Sequence, residues 1–133
     1  MPSRFISIFA LLSVFLTSAT FAQEQVAPGV WLSRNGEYRV SVSPLTSTTP
    51  DPWTLYIRTA TRAPVSDAII EVHGYHPETR TILPNMPIIT PHLGRGEYEV
   101  YNIYFDEPGQ WEVNIVITSG STIDAVLLPI DIP

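Results

Sequence analysis

Glu97-Tyr98-Glu99-Val100-Tyr101 and, after a short interval, Asp106-Glu107-Pro108-Gly109-Gln110-Trp111-Glu112-Val113-Asn114-Ile115 decide the fold. The second run places Trp111, Val113, Ile115 and Ile117 at every other position, with polar residues between them. A period of two is the mark of a strand with one buried and one wet face. Asp106-Glu107-Pro108-Gly109 interrupts the pattern with turn residues, because proline presets φ and glycine accepts φ above zero. Two strands are therefore expected, over 97–105 and 110–118, joined by a turn. In the first, Tyr101, Ile103 and Phe105 alternate with Val100 and Tyr104, so both faces are apolar. Such a strand needs a cover or a contact surface. The proline-studded stretch 74–91 is the expected cover.

Outward from there, the same period recurs. Glu37 to Ser43 alternates strictly, and Trp53, Leu55 and Ile57 share one side of the run 53–59. Ala68 to His73 reads as a third strand, and Ile123 to Ile130 as the last, with Pro129 expected to end its pairing. The segment 44–52 is rich in Ser, Thr and Pro and reads as a loop. Between Gly74 and Pro91 stand Pro77, Pro84 and Pro87, which leaves room for at most an edge strand near Ile88-Ile89-Thr90. No window carries a helical period with caps. The expectation is all-β: an Ig-like antiparallel β-sandwich of six to seven strands over 36–133, its core anchored by Trp53 and Trp111.

The front of the chain reads differently. Arg4 precedes an uncharged, mostly apolar run from Phe5 to Leu16, and Thr20-Phe21-Ala22 follows. That is the layout of a secretory signal peptide over 1–22. The rival reading, a retained anchor, needs about 20 apolar residues, and the run is shorter. Residues 23–35 are then an extended lead-in. The 133-residue chain has no cysteine, so an exported product would fold without disulfides, which fits a periplasmic or secreted location. The formal charge is −6, and every basic residue is arginine. An acidic chain with no basic cluster is expected to be a poor binder of nucleic acid or anionic membrane. After the signal peptide no second long apolar stretch occurs, so no membrane span is expected in the mature chain.

The order Gly-Glu-Tyr-Arg-Val-Ser-Val-Ser-Pro from Gly36, then Trp53-Thr54-Leu55, then Ala63-Pro64-Val65, continues into Pro87-Ile88-Ile89-Thr90, Gly94-Arg95-Gly96-Glu97-Tyr98 and Pro108-Gly109-Gln110-Trp111-Glu112. Over about residues 36–128 this resembles the YtkA-like/FixH-like family of exported bacterial Ig-like domains. The resemblance implies the same sandwich. It also implies copper handling in those members that carry Met-Pro and His-rich stretches, from which this sequence departs: it has Tyr75-His76-Pro77 after the third strand and Asp106-Glu107 before Pro108.

Candidate chemistry is sparse. His73, His76, Met86 and His92 are the metal candidates, and a His/Met set suits copper. His73 and His76 are three apart, so a regular strand sends them to opposite faces; only a bulge or turn at Gly74 would bring them together. Glu97 and Glu99 share a strand face about 7 Å apart, as any such pair does on a wet face. No nucleophile elbow, phosphate-cradling glycine loop or cysteine nucleophile is present. The sequence therefore points to a non-enzymatic periplasmic accessory module with no catalytic residues and no cofactor. It would bind a protein partner in the cell envelope through loops or an open sheet edge. Copper binding or delivery by residues of 73–92 is the alternative.

Overall fold

The alternating runs become strands wherever one face can be buried. The computed structural model describes residues 25–43, 52–92 and 94–133; the expected signal peptide and nearly all of the 44–52 loop lie outside them. The strands are β1 Gln25–Ala27, β2 Val30–Leu32, β3 Tyr38–Ser43, β4 Trp53–Thr59, β5 Ile69–His76, β6 Thr81–Ile82, β7 Ile88–His92, β8 Glu97–Tyr101, β9 Gly109–Ser119 and β10 Thr122–Ile132. One sheet (sheet A) has the order β1-β2-β3-β4-β8-β7, the other (sheet B) β10-β9-β5-β6. All pairings are antiparallel, and the described residues contain no helix. The architecture is the expected all-β sandwich.

Its core is the inward set read from the sequence. Trp53, Leu55, Ile57, Trp111, Val113, Ile115 and Ile117 are all fully buried. Each such side chain contributes roughly 1.5–3 kcal/mol of transfer free energy. A run of aromatic contacts ties the layers together. Trp53 of sheet A lies 5.7 Å from Phe105, which lies 5.2 Å from Trp111 of sheet B. His76 meets the edge of Trp111 at 5.1 Å.

Four details differ from the sequence expectation. The strand expected over 97–105 stops at Tyr101, because Asn102 turns into the left-handed region (φ 64°). Asparagine tolerates that conformation, and the turn sends Ile103 and Phe105 inward as a buried crossing between the sheets rather than a two-faced strand. The third strand runs through Gly74 to His76 with unbroken alternation. The last strand continues past Pro129, which pairs in register with Glu112. Edge position makes this possible, since β10 borders sheet B and the missing N–H need not face a neighbour. The lead-in is extended as expected but also pairs, as β1 and β2, and buries Trp31. With β6, those short pieces raise the strand number to ten among the described residues.

Two polar clasps fix how the layers meet. Tyr98 donates its hydroxyl to the Val65 carbonyl (2.6 Å) and accepts from the Ala68 amide (3.1 Å), holding the β4–β5 crossing. Burial is the main cause of that phenol titrating above its ordinary value. Asp124 on β10 is buried and accepts from Ser33 Oγ (2.6 Å) and from the amides of Asn35 (3.0 Å), Glu37 (3.3 Å) and Ala125 (2.8 Å). Burial alone would raise its pKa; the Ser33 hydroxyl and the three amides outweigh it and hold the carboxyl below the usual range. The clasp joins sheet B to the β2–β3 turn of sheet A.

Candidate functional site

The candidate metal residues do not form one set. His73 and His76 sit on opposite faces of β5, as the odd spacing requires, because Gly74 introduces no bulge. His73 is exposed, whereas His76 is 2 % exposed and faces inward. Its Nε2 bonds the Pro108 carbonyl (2.9 Å), and its Nδ1 accepts from the Thr79 amide (3.3 Å). A carbonyl only accepts and an amide N–H only donates, so these partners define the neutral tautomer carrying the proton on Nε2. Both ring nitrogens are thus committed, and a metal would have to displace one partner. His92 closes β7, paired in backbone register with Glu97 on sheet A.

The Pro-Gly-x-Trp motif explains why His76 is held there. Gly109 has φ 118°, and a Cβ at that position would stand 2.7 Å from His76 Nε2. Only glycine allows both the backbone conformation and the approach of the ring. Trp111 then covers the ring while donating Nε1–H to the Glu107 carbonyl (2.9 Å). His76 is therefore a packing pin between β5 and the turn before β9.

His73 and Met86 border the same surface feature. Both line a groove of about 440 Å³ bounded by Ile70–Gly74 of β5 on one side and by Ile82–Pro87 and Ile89 on the other. The groove lies where the chain crosses from β6 in sheet B to β7 in sheet A. Its rim carries large apolar groups in solvent: Ile82 is 71 % and Met86 84 % exposed, with Ile69 and Ile88 also exposed nearby.

The floor of that groove is an unpaired strand edge. β6 pairs only with Tyr75 and His76, so Ile69 to His73 have no strand on that side among the described residues. The Leu83 amide donates to the Gly74 carbonyl, which fixes the direction of Gly74. Strand alternation then turns the N–H and C=O of Val72 and Ile70 the same way, toward the groove, and those of Glu71 and His73 toward β9. Two other sheet borders, β10 and β7, are blunted. Pro129 lies in β10, whose Ala125 carbonyl is taken by the Arg34 amide, and Pro91 lies in β7. No proline interrupts β5. Natural edges are commonly protected by such devices; β5 carries one charge, Glu71, and no proline.

The YtkA-like family model matches residues 32–116. The chain belongs to the YtkA-like family. No curated protein and no solved structure matches it. The matched span of this YtkA-like domain contains the groove, the β5 edge and the His76–Pro108–Trp111 pin, whereas Asp124 and all of β10 lie beyond it. Glu97 and Glu99 occupy the outer face of sheet A, and Glu99 accepts the Tyr101 hydroxyl. Among the described residues no group of three or more His, Cys, Asp or Glu is placed to hold a metal ion. No helix among them is long and apolar enough to cross a membrane. Sequence reasoning did not single out the edge itself. The signal was Gly74 inside an alternating strand, since a strand glycine marks close approach: a Cβ there would lie 2.6 Å from Leu83 Cγ.

Proposed function

We propose that this YtkA-like domain is a non-enzymatic binding module of the bacterial periplasm that takes an extended segment of a protein partner as an added strand on β5. The observation that carries this reading is the outward-facing backbone of Ile70 and Val72 beside an apolar groove. Backbone pairing supplies affinity in such docking, and side-chain pockets supply selectivity. The groove volume falls in the ordinary range for ligand sites. Alternate residues of the guest would enter the groove and meet Ile82, Leu83 and Met86. Residues between them would stand on the outer face next to Glu71, the acidic member of the lining, in a chain of net charge −6. The guest is thus an apolar segment with lysine or arginine at the position beside Glu71.

The test is a pair of labelled eight-residue peptides, alternating valine with lysine in one and valine with glutamate in the other. The lysine peptide should bind at least about tenfold more tightly, and Glu71→Lys should reverse the order, since like charges directly opposed on a sheet are disfavoured. Equal affinities, or binding that leaves the Ile70 and Val72 amide resonances unmoved, count against strand addition.

A second reading is supported by His73 and Met86 lining the same groove, an imidazole and a thioether of the kind copper accepts. The four sequence candidates do not fit a single copper site, since His76 is committed at both nitrogens. What remains is a two-donor pair. Titration with Cu(I), followed by melting temperature, should respond to His73→Ala and Met86→Ala and not to His92→Ala if copper is the cargo.

A further inference from the structure

The chain is acidic, yet its arginines are gathered. Arg4 aside, there are six: Arg34, Arg39, Arg58, Arg62, Arg80 and Arg95. Arg80 follows β5, an eight-residue strand away from the end of the sandwich that holds the other five. Three of those five stand in one row across the outer face of sheet A. Arg39 and Arg58 are direct register partners on β3 and β4. Arg58 donates from Nη1 to the Arg95 carbonyl (3.5 Å), and the Ile57 amide bonds the Gly96 carbonyl, which places Arg95 next in the row. Arg62 sits just beyond, in the turn after β4, with φ 74°.

Like charges directly opposed on a sheet face are destabilising. Neither Arg39 nor Arg58 has an ion-pair partner among the described residues; Arg39 Nε is spent on the Ala60 carbonyl (3.3 Å). Glu37 and Glu97 lie on either side of the row, each next but one to an arginine of it, without bridging to it. The backbone bonds hold two guanidinium stems over the sheet and leave their remaining N–H groups free. Neighbouring strands are about 4.8 Å apart, so the three arginines span about 10 Å. A guanidinium presents a planar fork that fits phosphate oxygens two at a time.

We propose that the outer face of sheet A binds a phosphate-type polyanion, with Arg39, Arg58 and Arg95 in a row as its donors. A group bearing two linked phosphates matches the row better than a lone carboxylate, because its oxygens reach neighbouring forks together. The same chemistry is offered by a soluble phosphorylated compound and by a phospholipid headgroup. This site is independent of the β5 edge, which lies on the other sheet.

The test has two arms at low salt, where exposed charges are least screened. Sodium pyrophosphate is titrated calorimetrically into the protein, and the protein is co-sedimented with phosphatidylcholine vesicles with and without phosphatidylglycerol. Arg58→Gln should weaken whichever binding is seen by about tenfold, as expected for loss of a charge-assisted contact. Arg39→Lys keeps the charge and loses the fork, so it should weaken it less, by a factor of about three. Arg80→Gln makes the same charge change outside the row and should stay within about twofold. Pyrophosphate binding without vesicle binding assigns a soluble ligand; vesicle binding alone assigns a headgroup. Absence of both, or equal losses for Arg58→Gln and Arg80→Gln, overturns the site. Should Arg58→Gln fail to fold, the comparison of Arg39→Lys with Arg80→Gln decides alone.

Discussion

Replacing Asp124 by Asn should cost this domain about 2–4 kcal/mol at neutral pH. The carboxylate accepts four hydrogen bonds, from Ser33 Oγ and from the amides of Asn35, Glu37 and Ala125, at a site only 2 % exposed. Hydrogen bonds to a charged group are worth about 1.5–3 kcal/mol each but do not add when they share one acceptor. Asparagine keeps one acceptor oxygen and turns an NH2 toward donors, leaving part of the set unpaired. For a domain of this size the loss corresponds to roughly 10–20 °C in melting temperature. The pH dependence supplies a second signature. The folded carboxyl is held below its ordinary pKa, so its stabilisation is complete above the unfolded value of about 3.9 and is lost as pH falls through the folded value. Urea unfolding of wild type and Asp124→Asn should therefore differ by a constant amount from pH 7 to about pH 5 and converge in stronger acid. A difference under about 0.5 kcal/mol at pH 7, or one that grows on acidification, would refute the clasp.

Gly109→Ala should destabilise by about 2–4 kcal/mol, since it meets both the positive φ and the His76 ring, whereas Gly36→Ala, at φ 79° with open space around it, should lose only about 1 kcal/mol in thermal denaturation. Tyr98→Phe removes one hydroxyl that serves Val65 and Ala68 and should cost about 1–3 kcal/mol by urea titration. His76→Ala should lose about 2–4 kcal/mol by the same assay and leave any Cu(I) response in place, which separates the packing pin from a ligand role. Met86→Ser and Ile82→Ser should change stability by less than about 0.5 kcal/mol because both side chains are exposed, while weakening capture of the valine–lysine peptide.

The layered fold was legible because its signal is local. The period of two at Trp53-Leu55-Ile57 and Trp111-Val113-Ile115-Ile117 specifies which face is buried without knowledge of any partner strand. The opposite placement of His73 and His76 followed from the same geometry once Gly74 made no bulge. What escaped the sequence depends on contacts distant along the chain. Asn102 ends β8 because the chain must cross sheets there, a demand set by Trp53 and Trp111 together. Nothing local marks Asp124 as buried, since the β2–β3 turn that folds over it comes from residues 87 to 91 positions away. The groove required β6 to be short, and no pattern in Thr81-Ile82 announces that its pairing stops before Val72. The arginine row is likewise invisible in a chain where Arg39, Arg58 and Arg95 lie far apart.

The most direct measurement of strand docking on β5 is residue-resolved amide hydrogen exchange of the free protein, repeated with the valine–lysine peptide. Alone, Ile70 and Val72 should exchange rapidly despite lying inside an eight-residue strand, while Glu71 and His73, bonded toward β9, exchange slowly; peptide should slow the first pair. Equal, slow exchange at all four positions before any peptide is added would mean that the edge is already closed, and that β5 has no place for a guest.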